Sequence, residues 1–225
     1  MKLNADLTLR ASCNINNLEW EDSPASGVQR RRLEQDDDTP PIERVTTVVK
    51  FAAQSSFSRH VHDGGEEFLV LEGVFSDQHA DYPAGYYVRN PNGTGHAPHS
   101  KEGCTILVKL WQMRLDDKLQ LAINTEDKSL WQKDELYGQI LPLFNADYES
   151  VCMLNWTSGR YFPDLDFEAG VEYFVVKGSF KDDSGVYTKG SWLRLPAGSS
   201  QTIHVLEDCL ILRKTGHLLN PVSYV

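Results

Sequence analysis

The chain is short of cysteine, of basic residues and of long apolar runs, and each shortage closes off a class of protein. Only four cysteines occur in 225 residues, Cys13, Cys104, Cys152 and Cys209, and none forms a CxxC pair. They are too scattered for a disulfide framework or a cysteine-based zinc site. A reducing, cytoplasmic setting with buried thiols is the expectation. Lysine and arginine number 22 against 32 aspartates and glutamates, giving a net charge of −10. That balance argues against a nucleic-acid surface. The one basic cluster, Arg30–Arg31–Arg32, runs straight into the acidic stretch Glu34–Asp38, and both read as a solvated loop or strand edge. No stretch approaches about 18 apolar residues, and the opening MKLNADLTLRASCN has no signal-peptide core, so neither a membrane span nor a leader is expected.

Long helical periodicity is missing as well. What is present is a series of short apolar or alternating runs, FLVLEGVF, GYYVRNP and CTILVKLWQM, then YFVVKGSF, GSWLRLP and CLILRK. Glycine, proline, asparagine and aspartate punctuate them, as in PNGTG and PAGSS. With 40% hydrophobic residues there is ample core material. An all-β protein built as sandwiches or barrels of the jelly-roll type follows.

The runs come in two sets. At an offset of 105 residues, Gly73 matches Gly178, Phe75 matches Phe180 and Asp77 matches Asp182. Tyr82, Gly85, Arg89, Pro91 and Gly93 match Tyr187, Gly190, Arg194, Pro196 and Gly198, and His99, Glu102, Cys104 and Lys109 match His204, Glu207, Cys209 and Lys214. No gap is needed, so the chain reads as two copies of one module, over 17–114 and 125–217. The joining segment around LDDKLQLAINTEDK is the least repeat-like and is expected to loop or to add an edge strand.

The first copy carries a metal-ligand pattern. In SRHVHDGGEE, His60 and His62 are two apart, so in a strand both imidazoles share a face. Glu66 follows the DGG turn, and His96 comes after PNGTG on a neighbouring strand. Three neutral imidazoles and one carboxylate suit a divalent ion such as Zn, Fe, Mn, Ni or Cu. The alternative is a satisfied polar cluster without an ion. His99 reads as a structural residue of the rim, because its partner His204 persists in the other copy, and His79 reads as solvated.

This pattern resembles the cupin family. His60, His62, Glu66 and Gly73 fit its first motif, G-x5-H-x-H-x3,4-E-x6-G, with Gln54 in place of the leading glycine. Gly85, Pro91, Gly93 and His96 fit the second, G-x5-P-x-G-x2-H-x3-N, with Ser100 in place of asparagine. The six-residue spacing to Gly73 selects Glu66 over Glu67 as the ligand. Glu67 is matched by Glu172, and a structural task in both copies is expected for it. The likeness implies a tandem, bicupin arrangement of double-stranded β-helix barrels, with one divalent metal per chain held by His60, His62, Glu66 and His96.

Carried forward by 105, the four ligands become Leu165, Phe167, Val171 and Gln201. The second barrel is therefore expected to hold no metal and to be filled by its own core; an apolar ligand pocket lined by Leu165, Phe167 and Val171 is the alternative.

HVHDGGEEFLVLEGVFSDQHADYPAGYYVRNPNGTGHAPH is similar in particular to the cupin module of ChrR-like anti-sigma factors. That likeness implies zinc and a part in signalling oxidative stress. Sigma-factor binding itself is not expected: residues 1–16 are too few for the helical zinc domain that performs it, and no His-x3-Cys-x2-Cys set occurs. On this likeness the sensor or binding module is the expected function and an enzyme is the alternative. The first is a zinc-holding sensor or binding module for a small ligand or oxidant, with Cys104 as a redox partner or, on its persistence as Cys209, an inert thiol. The second is an iron or manganese dioxygenase acting on a small diketone or aromatic diol, with Arg89, Tyr86 or Tyr87 orienting the substrate. The cupin likeness also points to a homodimer.

Overall fold

Alternation of apolar and polar residues makes the strands, and each strand buries one face in a barrel interior. We describe a computed structural model covering residues 2–39, 42–222 and 224, leaving aside the side chains of residues 38, 39 and 42. Among the described residues the only helices are two three-residue 3-10 turns, Ile15–Asn17 and Lys128–Leu130. No helix is long and apolar enough to cross a membrane. The chain divides into two units: residues 1–5, 18–126 and 222–225 form the first, and residues 6–17 and 127–221 form the second.

In the first unit, Val28–Thr39, Ile42–Phe51, Cys104–Leu110, Glu66–Ser76, Tyr86–Asn90 and Leu121–Asn124 lie side by side, all antiparallel. The long Glu66–Ser76 strand crosses into a second sheet, where its end pairs with Asp81–Pro83 and His99–Ser100. The core between the sheets is made by Val28, Phe51, Phe68, Val70, Phe75, Val88, Ile106 and Val108. The second unit repeats the plan with Gly138–Asn145, Ser150–Trp156, Ser199–Thr215, Val171–Asp182, Ser191–Leu195 and Ala11–Asn14 in order. Leu121–Asn124, in the joining segment, thus adds an edge strand to the first unit, facing Tyr86–Arg89. Ala11–Asn14 does the same for the second unit, facing Ser191–Arg194.

The 105-residue repeat is visible in the backbone. Gly73 and Gly178 take φ of +74° and +76°, and a Cβ on either would stand 2.1 Å and 2.0 Å from the carbonyl oxygens of Gly103 and Asp208. Both positions therefore need glycine, because only a residue without Cβ tolerates that conformation and that approach. They mark where the long strand bends from one sheet into the other.

The charged run, expected as a solvated loop or strand edge, lies in the long strand Val28–Thr39, flanked on its outer side by the two-residue strands Lys2–Leu3 and Glu21–Asp22. Strand alternation sends its residues to two faces. Glu34 is fully buried and accepts from Arg44 Nε at 2.7 Å, and the Arg31 guanidinium lies 4.2 Å over the Trp20 ring. Arg30 faces inward, on the same side as Val28. Asp38, the last of the run, has its side chain outside the described residues.

Candidate metal centre

The two halves of the sequence pattern meet in a short ladder inside the first unit. His60–Val61 pairs antiparallel with Gly95–His96, which sets His60 directly opposite His96. The ladder continues as His62 N donates to Thr94 O at 2.8 Å and Gly93 N to His62 O at 3.0 Å. Gly95 permits the close approach, since a Cβ there would stand 2.5 Å from His60 O. Glu66 opens the following strand and faces the interior with Phe68 and Val70. One ligand atom from each of His60, His62, Glu66 and His96 lies within 4.8 Å of all the others. Glu66 Oε1 is 3.5 Å from both His62 Nε2 and His96 Nε2. Neighbouring donors bound to one ion at about 2.0–2.2 Å stand roughly 3–3.5 Å apart, so this spacing fits a single cation.

The imidazoles are turned for ligation by acceptors behind them. His60 Nδ1 faces Ser58 O at 3.0 Å, and His96 Nδ1 faces Asp77 Oδ2 at 3.3 Å. A carbonyl and a carboxylate can only accept, so both Nδ1 atoms carry the proton. His62 Nδ1 faces Thr94 Oγ1 at 3.1 Å, and that hydroxyl spends its own hydrogen on Pro91 O at 2.7 Å. All three rings therefore present an unprotonated Nε2, the form a metal needs. His62 Nε2 is buried and has no hydrogen-bond partner, an orphan that a cation would satisfy. Glu66 Oε1 accepts from Asn90 Nδ2 at 3.2 Å, and Gln120 Nε2 donates to Asn90 Oδ1 at 3.0 Å, which fixes which way the amide points.

Burial tunes the same groups. It pushes His62 down to about 3, helped by the neighbouring charges of His96 and His60. It pushes His96 down to about 4, with His60 adding to the effect and Asp77 opposing it. Burial raises Glu66 to about 7, against the hydrogen bond from Asn90. At neutral pH the His62 and His96 rings are neutral, and burial keeps Glu66 partly protonated, a proton that a bound cation would displace.

The four sequence candidates thus come together, His60 exposed and the other three buried. Glu67 does not join them: it faces away and accepts from Tyr87 Oη at 2.6 Å and Arg89 Nη1 at 3.3 Å. Glu172 in the second unit likewise accepts from Trp192 Nε1 at 2.8 Å. Arg89 is fully buried, also pairs with Asp117 at 2.6 Å, and has no access to the site. The expectation that Arg89 or Tyr87 orients a substrate is therefore corrected: alternation along Tyr86–Asn90 turns both to the far face of the sheet. Tyr86 packs against the core beside Tyr82. His99 and His79 are exposed and stand outside the cluster. Asp77, Thr94 and Asn90 escaped the sequence reading as parts of the site. One signal was available, because Asp77 recurs as Asp182, which binds the counterpart of His96: Gln201 Nε2 donates to Asp182 Oδ2 at 2.6 Å.

In the second unit Leu165 faces Gln201 across the strands, the register that His60 and His96 hold in the first. Leu165, Phe167 and Val171 are buried in one continuous core cluster. They belong to the packed core, and their side chains offer no metal donor.

In the first unit all four ligand residues line a cavity of about 480 Å³. Val45, Val49, Phe51, Phe57, Ile106 and Trp111 supply apolar parts of its lining.

Comparison with known proteins places this geometry in a family. In fold, the chain is similar to a "putative dioxygenase" from Nostoc punctiforme, with a TM-score of 0.75 at 13% identity over 97% of this chain and 87% of that one. It is similar to a bacterial pirin from Escherichia coli in complex with nickel(II), with a TM-score of 0.68 at 13% identity over 92% and 98%. It is also similar to a mutant of Bacillus subtilis oxalate decarboxylase, with a TM-score of 0.64 at 10% identity over 95% and 79%. At such identities the likeness establishes the fold. No curated protein sequence matches the chain. The model of the ChrR cupin-like domain matches twice, over residues 8–114 and 121–219. Two jelly-roll units, one with a histidine–glutamate cluster that could hold a metal, make this chain a tandem member of the ChrR cupin-like domain family.

Proposed function

We propose that the first unit is a metal-dependent small-molecule site of the oxygenase type, with one divalent ion per chain. The observation that carries it is the cavity: His60, His62, Glu66 and His96 form one wall of a space large enough for a small organic ligand. His60, His62, Glu66 and His96 would hold the ion. Iron or manganese would supply a Lewis acid with coordination positions left for a substrate oxygen and for O₂. The chain's own contribution is positional. Ser58, Thr94 and Asp77 hold the three imidazoles in the ligating tautomer, Asn90 orients Glu66, and the apolar parts of the lining exclude water from the bound ligand. A small diketone or aromatic diol suits the size of the cavity and the apolar parts of its lining. The wording "putative dioxygenase" for the Nostoc relative in fold agrees with this choice.

A zinc-holding sensor is the second reading. Four donors complete a tetrahedral zinc site, and the family carries the name of ChrR. A cysteine-based sensor is disfavoured: burial pushes the Cys13 and Cys104 thiols up to about 11 and Cys209 up to about 12, where the reactive thiolate is scarce at neutral pH.

Metal identity on protein purified without added metal separates the two readings, together with oxygen uptake by iron-loaded protein in the presence of diketones and diols. Uptake that the His60→Ala variant loses supports the oxygenase. Bound zinc in one equivalent, with no uptake from any loaded form, rejects it in favour of the sensor.

A further inference from the structure

The cavity beside the metal ligands contains one cation, and it comes from the strand least expected to reach it. Arg30 lies on Val28–Thr39 opposite Val49. It shares the inward face of that strand with Val28 and lines the cavity with Val45, Val49 and Ile106. Its Nε is buried with no hydrogen-bond partner. The carboxylates that share the cavity with Glu66 are Asp63 and Glu43. Asp63 is exposed, and Glu43 Oε1 takes a hydrogen bond from Gln35 Nε2 at 2.8 Å. Neither forms an ion pair with Arg30 among the described residues. Glu21, directly opposite Arg30 on the neighbouring strand, pairs with Arg32, and Arg31 stacks over Trp20.

The second unit is apolar at the equivalent position. Val49 corresponds to Leu154 at the 105-residue offset, and the residue opposite Leu154 is Ile140. Ile140 packs on the core that replaces the metal ligands. The second unit places its interior cation elsewhere: Arg213, at the position of Val108, lies 4.3 Å over the Tyr137 ring and beside Cys152 and Tyr173. A guanidinium facing apolar walls costs free energy unless something pairs with it. Arg30 is the one lysine or arginine among the residues that line this cavity, where it can offer its guanidinium to a ligand.

We infer that Arg30 is the specificity-determining residue of the cavity and that the ligand is a small molecule with an apolar body and a carboxylate. The carboxylate pairs with the Arg30 guanidinium, whose planar fork matches two oxygens. The apolar body lies along Val45, Val49 and Ile106. This inference rests on the proposed small-molecule site and narrows its substrate class to acids.

The test is isothermal titration of metal-loaded protein with straight-chain and aryl-terminated carboxylates of graded length, 3-phenylpropanoate among them, each against its shape-matched amide. The wild type is expected to prefer acids over amides by at least about tenfold, the worth of a charge-assisted hydrogen bond. Arg30→Gln should bring acid and amide to parity, Arg30→Lys should restore part of the preference, and metal content should stay at one equivalent in all three. Parity in the wild type, or a preference that survives Arg30→Gln, overturns the assignment. The cobalt-substituted protein separates this failure from the wider one. If amides and acids alike shift its visible spectrum, the small-molecule site stands and only the carboxylate is wrong. If no compound of either series binds or shifts it, both are wrong.

Discussion

The first unit sets His60 against His96, and the second sets Leu165 against Gln201, at the same register of the same pair of strands. Both bend the long strand at a glycine of nearly equal φ, +74° at Gly73 and +76° at Gly178. Both bury a glutamate on the outer face of the sheet, Glu67 and Glu172, opposite an arginine and a lysine: Arg89 and Lys109 in one, Arg194 and Lys214 in the other. The units differ inside the barrel. One interior presents three histidines and a glutamate beside a cavity; the other has leucine, phenylalanine, valine and glutamine at those positions and carries unpartnered polar atoms elsewhere, in Trp156, Tyr173 and Arg213. The scaffold therefore does not depend on the metal donors. At three of the four ligand positions the second unit is apolar, which ties the histidines and the glutamate of the first to function rather than to folding.

Exchanging interior residues between the units tests this directly. Phe167→His would put an imidazole into the closed interior of the second unit. It loses about 1.5–3 kcal/mol of apolar burial and adds about 1–3 kcal/mol for an unsatisfied polar group. Stability is expected to fall by about 3–5 kcal/mol, read from the urea midpoint, with no metal gained. A loss below about 1 kcal/mol would mean that the interior is loose, and would reopen the apolar ligand pocket.

The reverse exchange, His62→Phe, gives the first unit the residue of the second. Metal-free stability is expected to hold or rise, because a buried orphan nitrogen is removed. Metal content should fall from one equivalent to almost none, with affinity down by more than about 100-fold. Two equivalents in the wild type would break the comparison at its root.

The ligands were legible because their spacing is local: two histidines two apart and a glutamate four on occupy one turn-and-strand, and PNGTGH has its own signature. The repeat was legible because glycine and proline sit where φ or a missing donor allows nothing else. Arg30 was not legible. In Arg30–Arg31–Arg32 the three side chains look alike in sequence, but strand alternation turns Arg31 to the face of Trp20, and of the two on the other face Arg30 lines the cavity while Arg32 pairs with Glu21. Only the register of the strand distinguishes them, and register is set by distant pairing with Ile42–Phe51. Asp77 was hidden for the same reason. Its turn, SDQHADYPAG, looks solvated, and the partner His96 is nineteen residues away.

Asp77 and Asp182 give a finer comparison. Asp77 holds the Nδ1 proton of His96, whereas Asp182 holds Gln201 and Arg10. Asp77→Asn keeps an acceptor but removes the charge that supports the ligating tautomer. Metal affinity, measured by competition with a chromophoric chelator, should fall about 10–100-fold. Asp182→Asn should leave it unchanged. Equal effects from both would show that the loss is general destabilisation rather than support of one ligand.

The smallest effect is in pH. Metal-free, Glu66 is held neutral up to about 7 by burial, so binding a cation below that pH requires the loss of a proton. His62 and His96, pushed down to about 3 and about 4, take up no proton until well below pH 5. Between pH 7 and 5 Glu66 is therefore the competing group among these three, and affinity should fall by up to about tenfold per pH unit. The metal-free stability runs the other way for this group. Its folded pKa lies above the ordinary 4.5, so its contribution is complete below 4.5 and fades as pH rises through 7. The two histidines have folded values below 6.5, so their contribution is present above 6.5 and fades as pH falls toward 4 and then 3. Leu165, Phe167, Val171 and Gln201 do not titrate, so nothing at these positions gives the second unit such a dependence. Glu66→Gln should flatten the metal-affinity profile above pH 5 while weakening binding throughout. A slope that persists in Glu66→Gln would assign the proton to another group and take Glu66 out of the competition.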